Sequence, residues 1–420
     1  VSGWFFWRLY RFLHSSMKIS KLVMNAGFRN DSLGNPQYCL SPRPGELSGL
    51  FVVPSNAKLN WFLFLGLFVG AGLVMVPKSW GSDYAIADLG DLGGDFSRAY
   101  GVNDHGFVVG DALLPVSGIV RRAILWGGGT VTDLGTAGGQ QSYASGINNS
   151  GTICGWAQGA AGNALPALWS GSSITALPTL GGAFGQALAI NDSGSAVGHA
   201  SLSSGRAHAA LWSGGQVHDL GTLGGASSQA YDINNQGIVV GTATDSLGRV
   251  RATLWGDSGA VDLGDLSGGE WTAIRGINDL GEMILWGKPQ GVEENRAVFW
   301  NGDPASSIID LGSGGLESWA YGLNDAGYVV GWEEISVDGP YRAFVWDGVE
   351  KQDLGTLGGI GSAAYGINAD GTIVGYAIDE FSATRAVQWI PVPEPSTLAL
   401  GLLGAAGWVL RRRRRRTTPV

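Results

Sequence analysis

Between residues 84 and 390 the apolar positions come in short runs, such as "AYDIN" and "GIVVGTA", separated by turns of Gly, Asn and Asp. The runs are rich in β-formers and continuously apolar rather than alternating, the pattern of strands covered on both faces. The runs also repeat. The unit "DLGTLGGASSQAYDINNQGIVVGTATDSLGRVRATLW", Asp219 to Trp255, has versions beginning at Asp88, Asp133, Ala176, Asp219, Asp262, Asp310 and Asp353, spaced by 45, 43, 43, 43, 48 and 43 residues. A period of this size, cut by turn residues into four strands, is that of a β-propeller blade.

Three features recur in all seven versions. A Gly-Gly pair follows the opening strand, from Gly93-Gly94 to Gly358-Gly359. An Asn-x-x-Gly runs Asn103/Gly106, Asn148/Gly151, Asn191/Gly194, Asn234/Gly237, Asn278/Gly281, Asn324/Gly327 and Asn368/Gly371. A closing tryptophan recurs at Trp126, Trp169, Trp212, Trp255, Trp300, Trp346 and Trp389. Asn tolerates left-handed backbone and bonds its own main chain, and Gly supplies positive φ, so Asn-x-x-Gly predicts a tight turn between the first two strands. "RATLW" and "GAVDLG" supply two more strands, making each unit a four-stranded antiparallel meander.

The last unit stops after three strands, at "RAVQW", while the body opens with an unmatched strand, "YAIADLG", Tyr84 to Gly90. Pairing the two would close a ring and remove both open edges. The fold expected is therefore all-β, a seven-bladed β-propeller of four-stranded antiparallel repeats closed by the N-terminal strand of the body. An open stack of meanders is the alternative.

Comparing copies exposes a covarying pair. The third strand begins with a base at Arg122, His208, Arg251, Arg296, Arg342 and Arg385, and the following strand carries an acid at Asp133, Asp219, Asp262, Asp310 and Asp353. One copy has Leu165 for the base and Ala176 for the acid. Joint loss predicts that base and acid are hairpin partners, and ring closure would bring Arg385 to Asp88.

The chain ends carry different signals. Lys58 followed by "WFLFLGLFVGAGLVMV" (Trp61 to Val76) reads as a signal peptide over 58–82, with cleavage around Ser79 to Ser82. Residues 1–57 share no pattern with the rest, which suggests a misplaced start, with translation beginning nearer Leu50, Val52 or Val53; a genuinely long leader is the alternative. At the other end, 391–420, Val392, Pro393, Glu394, Pro395 and Ser396 precede a fourteen-residue apolar run, Thr397 to Leu410. As a helix it would reach only about 21 Å, against ~30 Å of hydrocarbon. Arg411, Arg412, Arg413, Arg414, Arg415 and Arg416 follow, a membrane stop that holds the C-terminus on the cytoplasmic side. A short C-terminal transmembrane helix is expected.

The net charge of −9 hides an asymmetry: between Ser82 and Val392 there are 12 Lys and Arg against 32 Asp and Glu, a net of −20. That disfavours nucleic acid as a partner. The body, 83–390, keeps one cysteine, Cys154, read as a buried small hydrophobe. Its four histidines show no zinc spacing, no nucleophile elbow occurs, and Gly-rich stretches lie in β-turns, so neither metal nor cofactor is expected.

The tail, with its Pro-Glu-Pro, short apolar segment and arginine cluster in order, resembles the PEP-CTERM sorting signal. That resemblance implies processing by exosortase, a membrane-embedded cysteine transpeptidase of Gram-negative bacteria, and delivery to the cell surface or the exopolysaccharide matrix of a biofilm. The repeats resemble the extracellular HAF repeats, named for a His-Ala-Phe triplet; here the triplet reads "RAI", "LPA", "HAA", "RAT", "RAV", "RAF" and "RAV". This second resemblance implies secretion and no established activity.

Repeated residues are read as structure, since catalytic groups need occur only once. Departures cluster in the fifth and sixth modules, at "EWTAIRG", "WGKPQGVEEN" and "WEEISVDGPY". Trp271, Arg275, Glu293, Glu294, Trp332, Glu333, Glu334, Asp338 and Tyr341 are the candidate ligand rim, with no catalytic residue among them. The function expected is a non-enzymatic binding or structural module for exopolysaccharide or surface proteins. A polysaccharide-active propeller enzyme, a lyase or glycosidase, is the alternative.

Overall fold

The structure is a computed structural model that describes residues 27–30, 36–39 and 84–392, apart from 117, 257–258, 265–271, 289–292, 304–305, 307 and 313–315. The signal segment, the motif from Pro393 onward, the apolar run and the six arginines lie outside the described residues. No helix among the described residues is long and apolar enough to cross a membrane. In the N-terminal unit, Gly27–Asn30 pairs antiparallel with Pro36–Cys39.

The second unit is the seven-bladed β-propeller expected. Blade 1 consists of Ser97–Val102, Val108–Leu113, Arg121–Gly127 and Thr130–Asp133, hydrogen-bonded in that order as an antiparallel meander. Blades 2 to 6 repeat the plan, with first strands Gly138–Ile147, Gly181–Ile190, Gly224–Ile233, Thr272–Ile277 and Ser318–Leu323. Blade 7 takes Gly358–Ile367, Ile373–Asp379 and Thr384–Pro391 from the end of the body and its outer strand, Tyr84–Asp88, from the start. The closing register runs from Tyr84↔Pro391 to Asp88↔Val387. Closure removes the two edges that an open stack would leave unpaired.

Seven separate cores lie between neighbouring blades. The core between blades 1 and 2 holds Val109 and Ala123 against Ala144, Ile153 and Trp169. Each closing tryptophan belongs to such a core, and all seven are buried. Alanine on the third strand (Ala123, Ala209, Ala252, Ala297, Ala343, Ala386) is fully covered, because the next blade's first strand lies directly on it. That contact is also polar: the amides of Ala123, Ala209, Ala297, Ala343 and Ala386 donate to the Oγ of Ser142, Ser228, Ser318, Ser362 and Ser97 at 2.8–3.0 Å. The middle position of the triplet thus joins one blade to the next.

The Asn-x-x-Gly turn forms as predicted, with one correction. The glycines adopt positive φ, from +75° at Gly106 to +83° at Gly194, but the asparagines do not. Asn works through its side chain. In blade 4, Asn234 Oδ1 accepts the amides of Gln236 and Ile238 at 3.1 and 2.9 Å. Its Nδ2 reaches out of the blade and donates to Asn278 O at 3.2 Å. The same bond runs from Asn103 to Asn148, Asn148 to Asn191, Asn191 to Asn234, Asn278 to Asn324, Asn324 to Asn368, and Asn368 back to Asn103. Seven buried side chains close a hydrogen-bonded ring about the axis. One residue on, a second series of bonds runs round the axis, with the amides of Asp104, Asn149, Asp192, Asn235, Asp279 and Ala369 donating to the next blade's Asn or Asp Oδ1 at 2.8–2.9 Å; Ala369, which has no side-chain acceptor, leaves it open between blades 6 and 7.

The base–acid pairs form in four blades: Arg122–Asp133 at 3.9 Å, His208–Asp219 at 2.9 Å, Arg251–Asp262 at 3.1 Å and Arg342–Asp353 at 3.9 Å. Arg385 departs from expectation. It lies close enough to feel the charge of Asp88, as closure requires, but its guanidinium bonds Asp91 and, at 3.2 Å, Asp379. Asp88 keeps the turn of its series. Each acid of this series accepts the amide two residues on, as Asp88 does from Gly90 and Asp133 from Gly135, both at 2.8 Å. The recurrent Asp-x-Gly is therefore first a turn and second an ion pair.

Candidate functional site

The first strands of all seven blades line a cavity of about 540 Å³ on the axis. Along each first strand, residues at i and i+2 share a face, so two positions per blade, lying before the Asn turn, share that face, and all of them but Gln186, Ala273, Trp319 and Ala363 line the cavity. In chain order they are Arg98 and Tyr100, Tyr143 and Ser145, Gln186 and Leu188, Gln229 and Tyr231, Ala273 and Arg275, Trp319 and Tyr321, and Ala363 and Tyr365. The intervening residues, Ile274 in blade 5 and Ala in the other six, pack between blades. The first of the two positions varies among Arg, Tyr, Gln, Ala and Trp, and the second is Tyr in four blades and Ser145, Leu188 or Arg275 in the others.

Their cross-strand partners vary as well. Arg98 pairs with Asp111, Gln186 with His199, Ala273 with Trp286, Trp319 with Trp332 and Ala363 with Tyr376. Blades 5 to 7 consequently carry a wall of rings beside the cavity. Trp319 lies 4.3 Å from Trp286 and 6.1 Å from Trp332, and Trp332 lies 5.6 Å from Tyr341. The chain continues through Tyr376, whose hydroxyl donates to Tyr341 Oη at 3.1 Å, to Tyr365 at 5.8 Å. Tyr365 meets Tyr321 at 4.9 Å and Tyr100 at 5.1 Å, and Tyr100 meets Tyr143 at 4.8 Å.

Two arginines sit on this wall. The Arg98 guanidinium lies 4.5 Å from the centre of the Tyr376 ring and 4.9 Å from Phe96. Arg275 lies 4.4 Å from Tyr231 and 5.5 Å from Tyr321. Burial works to lower the Arg98 pKa, but Tyr100, Tyr365 and Tyr376 around it raise it above its ordinary value, so it stays a cation. Burial also drives the Tyr100 and Tyr365 hydroxyls well above the usual tyrosine range, keeping them neutral.

The carboxyl groups near the cavity are already engaged. Asp111 is buried against Arg121 Nη1 at 3.1 Å, and burial raises its pKa. Asp232 stands where five blades have Gly and one has Ala189. It accepts the amides of Ile233 at 2.9 Å and Ile277 at 3.0 Å, and burial pushes its pKa up to about 6. Cys154 is a free, buried thiol whose pKa burial raises to about 12, so it stays protonated. No group of three His, Cys, Asp or Glu side chains that could hold a metal occurs among the described residues.

Of the rim expected from sequence, Arg275, Trp332 and Tyr341 come together on the wall. Glu333 is held by Lys351. Glu293, Glu294 and Asp338 are exposed, Glu334 ends its strand opposite Tyr341, and Trp271 lies outside the described residues. Arg98, Tyr100, Trp286, Trp319, Tyr321, Tyr365 and Tyr376 were missed by attention to loops. Arg98, Trp286, Trp319 and Tyr376 stand at strand positions that change between copies, a signal the aligned repeats carry, whereas Tyr100, Tyr321 and Tyr365 share a position that is Tyr in four blades.

The family described as the PEP-CTERM protein-sorting motif matches residues 391–415. That motif implies an exported protein recognised and processed by exosortase. No curated protein sequence matches the chain. Similar solved structures include YCF48 bound to D1 peptide, 14% identical over 76% of this chain and 99% of that one, with a TM-score of 0.45. An acylaminoacyl peptidase of Pyrococcus horikoshii is 12% identical over 72% of this chain and 53% of that one, with a TM-score of 0.43. TolB from Acinetobacter baumannii is 13% identical over 70% and 64%, with a TM-score of 0.39. The chain spans about half the length of the peptidase. Similarity at this level assigns neither activity nor ligand.

Proposed function

We propose that this exported protein is a non-enzymatic saccharide-binding propeller, sorted by its tail to the cell surface or an exopolysaccharide matrix. One observation carries the reading: first-strand positions of all seven blades gather round the axial cavity, and in blades 5 to 7 these positions and their cross-strand partners form the Trp and Tyr wall. Sugar rings present flat C–H faces that stack on such side chains, while hydroxyls need donors and acceptors of the kind Gln186, Gln229 and Ser145 offer. The resemblance of the modules to extracellular HAF repeats agrees with this placement. The apolar run and arginines would hold the chain in the inner membrane only until processing at Pro393-Glu394-Pro395.

The reading as a polysaccharide-active enzyme draws on Asp232, a carboxyl with a raised pKa at the cavity. Against it, both oxygens of Asp232 accept backbone amides and Asp111 is held by Arg121. Neither is free to act as one of the carboxyl pair that glycoside hydrolysis requires.

The test has two parts. Cells carrying the full chain or a chain without residues 391–420 are fractionated, with loss of surface or matrix material expected for the truncation. The released protein is then measured against the host's own polysaccharide, with Trp319→Ala and Trp332→Ala expected to weaken binding about tenfold each, in the range of one lost aromatic contact. Unchanged binding in both variants would refute the site.

A further inference from the structure

Two arginines, Arg98 and Arg275, line the cavity of an otherwise acidic body. Among the described residues, seven Lys and Arg side chains lie within 4.0 Å of a carboxylate: Arg121, Arg122, Arg249, Arg251, Arg342, Lys351 and Arg385. Arg98 and Arg275 do not. They are also the only charged residues at the fourteen first-strand positions that share the cavity face. Each rests on tyrosine faces, and each has a buried Nε with no hydrogen-bond partner. Ring faces soften the cost of holding a cation there, and the Tyr100 side chain bonds Arg98, but the Nε of each stays unpartnered. The planar fork of a guanidinium fits the two oxygens of a carboxylate.

We infer, resting on the saccharide-binding reading above, that the ligand is an acidic polysaccharide whose carboxylates are taken by Arg98 and Arg275 while its sugar faces stack on the wall. The two arginines are joined through Tyr321 and Tyr365, whose rings are 4.9 Å apart, so the sites lie at separate points of one surface and suit a polymer carrying repeated carboxylates. A body of net charge −20 repels polyanions at long range, so binding must come from these short-range contacts.

The experiment uses the released protein with polygalacturonate and with the same polymer after reduction of its carboxyls to alcohols. Expected results are binding of the acidic form, about tenfold weaker binding of the reduced form, and a similar loss for Arg98→Gln and for Arg275→Gln, as for one charge-assisted bond. Thermal denaturation checks that these variants remain folded, and Arg98→Lys separates charge from fork geometry. Equal affinity for acidic and reduced polymer, with Trp319→Ala and Trp332→Ala weakening both, overturns the inference and leaves saccharide binding standing. Failure to bind either polymer overturns the inference, and failure to bind the host's polysaccharide as well overturns the saccharide reading itself.

Discussion

The asparagine side chain of each turn bonds both within its blade and out of it. Its Oδ1 takes local groups, two amides at Asn103, Asn234, Asn278 and Asn324 and an amide with a serine hydroxyl at Asn148 and Asn191, which alone would make it an ordinary turn residue. Its Nδ2 binds the next blade's turn, which makes it a joint between blades. Asp232 belongs to the same scale. Blade 3 has Ala189 at this position, so the backbone accepts a small side chain. The folded pKa of Asp232, about 6, lies above the ordinary 3.8. Below pH 4 both folded and unfolded chains hold the proton. As pH rises, the unfolded chain loses it first, so this group's contribution to stability falls between about pH 4 and pH 6 and is constant above. Asp232→Ala should lack that step. Urea titrations of parent and variant at pH 4.5 and 8 should differ by about 2 kcal/mol in their stability gap, at 1.36 kcal/mol per pKa unit. A gap independent of pH would show that the carboxyl titrates normally.

Elements change as sets of compensating residues. Blade 2 carries the triplet "LPA" where others have Arg-Ala or His-Ala. Pro166 has no amide to donate, and the next blade correspondingly has Gly185 in place of the serine acceptor; a Cβ there would stand 3.2 Å from Pro166 Cδ. Leu165 and Ala176 are lost together in the same blade, and the register Ala167↔Ala176 equals Thr253↔Asp262 in blade 4. Leu165→Arg alone should therefore leave a cation without its hairpin partner, and adding Ala176→Asp should recover a coupling of about 0.5–1 kcal/mol, typical of a half-exposed pair. Additive effects in a double-mutant cycle would separate the joint loss from the pairing. The sequence made this covariation readable because seven copies serve as an internal alignment. It hid the serine–amide link because the partners lie in consecutive repeats, and repeat comparison aligns a column with itself rather than with its neighbour.

The whole molecule depends on contacts between chain ends. Asn368 donates to Asn103 O and Ala386 N to Ser97 Oγ, bonds spanning 265 and 289 residues. Tyr84–Asp88 covers the strand Thr384–Pro391, and Tyr84 and Ile86 pack on the core that holds Trp389. Deleting residues 84–88 should expose that edge, lower the unfolding midpoint and cause concentration-dependent association, read by calorimetry and light scattering. A monomer unfolding as before would mean that the ring is held by its other joints. Pro391 is both the last paired residue of the ring and the first residue of the sorting-motif match. The closing sheet therefore reaches the point where the processed tail begins, with no spacer between them.

The amino-acid sequence by itself determined the seven-fold plan, the strand that closes it, the turns and the sorting motif. Each of these is written in local residue types or a fixed period, and local backbone preference and burial pattern act within one repeat. The tertiary structure alone decided that the asparagines form a closed ring, that Arg385 turns to Asp91 and Asp379, and that first-strand positions and their cross-strand partners gather into one aromatic wall bearing two arginines. Those residues are some forty apart in the chain and become neighbours only when the ring closes, because rotation about the axis, not spacing along the sequence, brings the same position of each blade to the cavity.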